Sequence, residues 1–151
     1  MDSTLYLITQ IGFGLITIVF FYFLLVEIKK GLIKSSIDTA RQKKIFNRTI
    51  FGLVAWTVFV SVWSISSRMS DFSQFPFNMM PVLAVPLITV IVITFSKTFN
   101  EIIIHIPQLN LIRLQSFRIF VELLLWALFI SNLAPVQMTF EGRNFDILSG
   151  I

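Results

Sequence analysis

Gln108, Gln115, Arg118 and Glu122 are the residues whose types and spacing come nearest to chemistry in this sequence. A helix turning 100° per residue from Pro107 brings positions 108, 115, 122 and 126 almost into line, with Arg118 close by and Arg113 on the other side. A proline suits the first turn, where its missing N–H costs nothing. Arg118 and Glu122 are four residues apart and can pair along the helix. Such a stripe has two readings. One is a structural ion pair that ties helices together. The other is a ligand, ion or proton site lined by Gln115, Arg118 and Glu122. The depth of the carboxylate sharpens the choice, because an isolated charge in hydrocarbon costs several kcal/mol or takes up a proton.

Other reactive patterns are missing from the sequence. His105 is the sole histidine and there is no cysteine, which excludes bis-imidazole haem ligation, H-x-x-x-H or H-E-x-x-H zinc spacing, thiolate ligands and disulfides. Met69, Met79, Met80 and Met138 form no soft-ligand motif. No P-loop, dinucleotide fingerprint or G-x-S-x-G elbow occurs. The expectation is therefore no enzyme, no catalytic residues, no cofactor and no metal ligands.

The elements that must position the polar stripe are apolar helices. Among 151 residues, 56% are hydrophobic and 13% charged, and 17 are Phe; a soluble domain carries roughly 45–50% and about 25%. Mean hydropathy is +0.84. About 20 apolar residues cross a hydrocarbon core of roughly 30 Å. Runs at about 5–26, 49–67 and 75–96 meet this length, and a fourth at 117–135 is interrupted only by Arg118 and Glu122. The expected fold is all-α, a polytopic transmembrane bundle of four spans in one membrane domain, 1–151. The first run is read as a retained helix rather than a signal peptide: Asp2 precedes it, its apolar length is too great, and Glu27-Ile28-Lys29-Lys30 follows.

Basic residues set the expected orientation. Segments 27–48 and 97–116 with Arg118 carry ten of the twelve Lys and Arg, while Arg68 and Arg143 stand on the other side. Basic loops stay cytoplasmic, so the N-terminus and the tail 136–151 are expected outside. The expected partner is the bilayer itself, with anionic headgroups at the basic loop 29–48 rather than nucleic acid, together with a second copy or another membrane protein. Within the spans, Thr57, Ser61 and Ser64 share a helical face that reads as a packing seam, and Gly12 allows close approach in the first span. Pro81 and Pro86 predict a kink or shortening of the third. The tail gathers Glu141, Arg143, Asn144 and Asp146 between aromatic residues, which reads as a solvated cluster, an ordered outer cap, or the start of a chain that continues past Ile151.

Two stretches carry a resemblance. Ile106-Pro107-Gln108, Leu111-Ile112, Gln115-Ser116-Phe117-Arg118 and Glu122, followed by Met138-Thr139-Phe140-Glu141-Gly142-Arg143-Asn144-Phe145-Asp146, resemble an uncharacterised family of bacterial, Bacteroidetes-type, polytopic inner-membrane proteins. The match covers about the C-terminal third, and 140–146 is its most specific part. It implies an inner-membrane protein with further spans beyond Ile151, and implies no reaction. The function expected on all counts is a non-enzymatic structural or interaction module; the alternative is a transporter or small-solute permease whose path is lined by Gln115, Arg118 and Glu122.

Overall fold

The structure, a computed structural model, describes residues 3–66, 77–132, 139 and 141, apart from the side chains of Ser3 and Tyr6. Six helices follow in order: α1 (Ser3–Lys34), α2 (Thr39–Ile65), α3 (Met80–Thr94), α4 (Lys97–Ile103), α5 (Gln108–Gln115) and α6 (Phe117–Ile130). No strand occurs among the described residues. The all-helical expectation is met. Arg68, Met69, Pro76, residues 133–138, Arg143, Asn144 and Asp146 lie outside the described residues.

Apolar length singles out α1 over Leu7–Lys34 and α2 over Thr39–Ile65 as helices able to cross a membrane. A third candidate exists if α3 and α4, bent by 82° at their break, form one span. The helix α6 has 14 residues, about 21 Å, and falls short alone. Most large apolar side chains point outward: Phe51 is 75% exposed, Leu83 68% and Val92 64%. Neither α2 nor α3 buries a residue fully. Helices apolar all round belong in a membrane or a larger assembly.

Several local expectations need correcting. The segment 27–48 is helical except for residues 35–38, because α1 overruns its apolar run and α2 starts early. Lys, Arg and Gln are good helix formers, and Asp38 caps α2 by accepting from the Ala40 N–H at 3.0 Å. Segment 97–116 is likewise mostly α4 and α5. The third span breaks at Phe95–Ser96, beyond Pro86, which sits inside α3 without ending it. The helix expected to run unbroken from Pro107 is interrupted at Ser116, whose N–H bonds the Arg113 carbonyl at 3.1 Å in a tighter i→i−3 turn. The hydroxyls of the second span do not form a seam. Thr57, Ser61 and Ser64 are exposed, and Thr57 Oγ1 donates back to the Leu53 carbonyl at 2.9 Å. The half-buried face of α2 is instead Leu53, Trp56, Phe59, Val60 and Trp63.

The chain divides into two compact units, Met1–Glu27 with Ile106–Ile151, and Ile28–His105. In the second, Leu32, Ile37 and Ile102 are the buried apolar residues. Ser36 Oγ donates to Glu101 Oε1 at 2.6 Å and Arg41 donates to Thr98 Oγ1 at 3.3 Å, tying α4 to the start of α2. At the far end of α2, Trp63 Nε1 donates to the Asn78 carbonyl at 2.9 Å. Helix α4 opens on Ser96, whose hydroxyl accepts from the Phe99 N–H. In the first unit, α6 stops at Asn132, the described non-glycine residue with positive φ (58°), in the left-handed position that ends helices.

Candidate functional site

Three contacts fix how α1 lies along α5 and α6. The Leu124 side chain fills the space beside Gly12, Phe20 and Phe117 rings stand 4.6 Å apart, and Asn110 Nδ2 donates to Glu27 Oε2 at 2.8 Å. Positions on α1 rise as their partners fall, so the strands of this hairpin of helices are antiparallel. From Gly12 to Glu27 α1 advances roughly 22 Å, and from Asn110 to Leu124 the partner advances roughly 21 Å. The register therefore survives the Ser116 break. Gly12, Phe20 and Glu27 also share one face at helical spacing, which explains why they are the residues that meet α5 and α6.

The same register gives Glu122 its depth. Interpolating between the Gly12 and Phe20 contacts sets it opposite Gly14 and Leu15, the middle of the apolar run 5–26. Glu122 is 3% exposed. The buried polar residues of this unit are Thr9, Glu27, Glu122 and Thr139, and each holds a polar or ionic interaction. Trp126, one turn beyond Glu122, donates its indole N–H to Glu141 Oε1 at 2.6 Å. Glu141 thus reaches α6, while the other cap residues of the tail lie outside the described residues.

Gln108 and Gln115 stand on α5, and Arg118 and Glu122 one turn apart on α6. Gln108, Gln115 and Arg118 are exposed; Glu122 alone is buried. The tight turn at Ser116 breaks the phase that a continuous helix would have kept, and α5 turns Asn110 inward instead. Asn110 and Glu27 are the pair sequence reasoning missed. Their signals were faint: one amide among Leu109, Leu111 and Ile112, and one acid closing an apolar run.

Elsewhere, His105 Nδ1 donates to the Glu101 carbonyl at 2.7 Å, one turn back on its own chain. Among the described residues no three His, Asp or Glu side chains gather as metal ligands do. A shallow, open groove lies along one face at the start of α2 and is lined by that helix alone, through Ala40, Lys43, Lys44, Asn47, Arg48 and Phe51. The arrangement offers a buried carboxylate, Glu122, beside a close helix contact and an exposed basic face on α2. No protein-family model, curated protein or solved structure matches this chain.

Proposed function

We propose that this chain contributes four spans to a helical protein of the bacterial inner membrane, acting as a non-enzymatic structural or interaction module. Its N-terminus stands outside, and segments 27–48 and 97–116 face the cytoplasm, following the ten-to-two division of basic residues. The bacterial assignment rests on the resemblance of 106–122 and 138–146. The fourth span is 117–135, of which α6 supplies Phe117–Ile130, packed along α1 through Leu124 against Gly12 and Phe117 against Phe20.

One observation carries the structural reading. Glu122 is 3% exposed at the level of Gly14 and Leu15, so protein rather than solvent surrounds its carboxylate. A permease would need Gln115, Arg118 and Glu122 on one wetted wall, and Glu122 is buried where Gln115 and Arg118 are exposed. Intramembrane carboxylates mark functional sites by default when they face a cavity; a dry contact favours the stapling role.

Thiol accessibility tests this. In native membranes, the Glu122→Cys variant reacts much more slowly with a small water-soluble maleimide than the Gln108→Cys variant. Fast reaction at position 122, slowed by one particular solute, would replace the structural module with a permease.

A further inference from the structure

We propose that the first four turns of α2 form a binding site for one anionic phospholipid, with its phosphate between Lys43, Lys44 and Arg48 and an acyl chain over Phe51. This deepens the membrane reading above, on which it rests only in that α2 passes through a bilayer surface.

The groove has the chemistry of an amphiphile with an anionic head. Ala40, Lys43, Lys44, Asn47, Arg48 and Phe51 line it. On a helix these positions fall within an arc of roughly 140°, and about 12 Å of axis separates Lys43 from Phe51. Lys43, Lys44, Asn47 and Arg48 are all exposed, as is Phe51 at 75%. The charge changes to apolar surface along that axis. Beyond Phe51 lies Gly52, around whose missing Cβ there is open space, then exposed Val54 and Val58.

Charge complementarity identifies the occupant. No acidic residue lies between Thr39 and Ile65. The nearest carboxylates are engaged elsewhere: Asp38 caps its own helix, and Glu101 accepts from Ser36. Arg41 is turned to Thr98 on α4, which leaves Lys43, Lys44 and Arg48 facing the groove with the Asn47 amide among them. Arg48 presents a planar fork suited to two phosphate oxygens, and the lysines add rotatable point charges. A free phosphate would use the head of this groove and leave Phe51 idle. A diacyl lipid uses both ends.

The test uses the full chain purified in a neutral detergent, with bound phosphatidylglycerol counted by native mass spectrometry. Each charge-assisted hydrogen bond to the phosphate is worth about tenfold in retention. Lys44→Gln with Arg48→Gln is therefore expected to weaken retention about 100-fold. Lys29→Gln with Lys34→Gln removes the same charge from exposed positions on α1 and is expected to change it little. Equal losses in the two pairs, or none in the first, overturn the site in favour of diffuse attraction. Phe51→Ala is expected to weaken a long-chain lipid and spare a short-chain one; equal effects on both overturn the acyl seat. Millimolar inorganic phosphate, or an acidic peptide at the lipid's concentration, is expected to leave the lipid bound, and full displacement by either overturns the lipid assignment. Sidedness is read separately by thiol labelling at Lys34→Cys. Retained lipid with reversed labelling would sink the topology and leave this site standing.

Discussion

Gly12→Leu probes the contact on which the register of α1 and α6 depends. A Cβ built at Gly12 stands 2.9 Å from Leu124 Cδ2, 3.0 Å from Cδ1 and 3.6 Å from Cγ. Non-bonded carbons rest about 3.5–4.0 Å apart, so a single methyl needs the tip of Leu124 to retreat by roughly 0.5–1 Å. That tip is the end of a rotatable side chain. Gly12→Ala therefore costs a rotamer adjustment of about 0.5–1.5 kcal/mol, which the helix preference of Ala over Gly, about 1 kcal/mol, nearly offsets. Leucine has no such escape. Its branched end must occupy the volume that Leu124 fills, and α1 and α6 must part, straining the Phe20–Phe117 and Glu27–Asn110 contacts along the same seam. Overpacking of this kind costs about 1–3 kcal/mol. Adding Leu124→Ala to Gly12→Leu restores the volume and is expected to recover more than half of the loss. Titration of denaturing detergent into mixed micelles, followed by circular dichroism and by Trp126 emission, reads the free energies. The seam is refuted if Gly12→Leu is as mild as Gly12→Ala, or if Leu124→Ala adds a further loss instead of relieving the first.

Three further outcomes follow from the described geometry. Lys34→Cys and Phe77→Cys, both at exposed positions flanking α2, are expected to label from opposite sides with an impermeant thiol reagent; labelling of both from one side means that α2 does not cross. Asn110→Asp sets a second carboxylate where an amide now donates to Glu27 at 2.8 Å. It is expected to cost more than Asn110→Ala, whose own loss is about 1–3 kcal/mol, and the reverse order in detergent unfolding would show that the contact is not formed. Asp38→Ala removes the cap on Ala40 and is expected to cost about 1 kcal/mol, seen as faster amide exchange in the first turn of α2 while Asp38→Asn stays near the parent rate.

The apolar runs made α1 and α2 legible, since length against bilayer thickness needs no tertiary information. Gly12 was legible too, as a place where a helix could come close. The loops were not. Counting apolar residues discards Arg41, Lys43, Lys44 and Arg48, though a capped start and good helix formers carry α2 through them. The expected seam of Thr57, Ser61 and Ser64 failed because a hydroxyl can satisfy itself on the carbonyl one turn back, leaving nothing that compels a neighbour. At the site, burial of Glu122 followed from its place within an apolar run, whereas the break between α5 and α6 turned on a single tight turn at Ser116. The Glu27–Asn110 bond joins residues 83 positions apart. No local pattern announces a partner at that distance, and only the antiparallel register of α1 with α5 brings the two together.

The shortness of α3 bears on the lipid around it. Its 15 residues span about 22 Å, against a hydrocarbon core of roughly 30 Å, and the chain turns by 82° into α4, which begins with Lys97. If α3 crosses a bilayer by itself, acyl chains touching it must shorten or tilt to keep its ends wetted, at a fraction of a kcal/mol for each ångström. The bilayer would then be dimpled on the α3 side. Shorter-chain lipids relax the dimple and collect there. Another protein with an equally thin belt shares the deformation instead of repeating it, so the two attract through the elasticity of the sheet between them before any side chain touches.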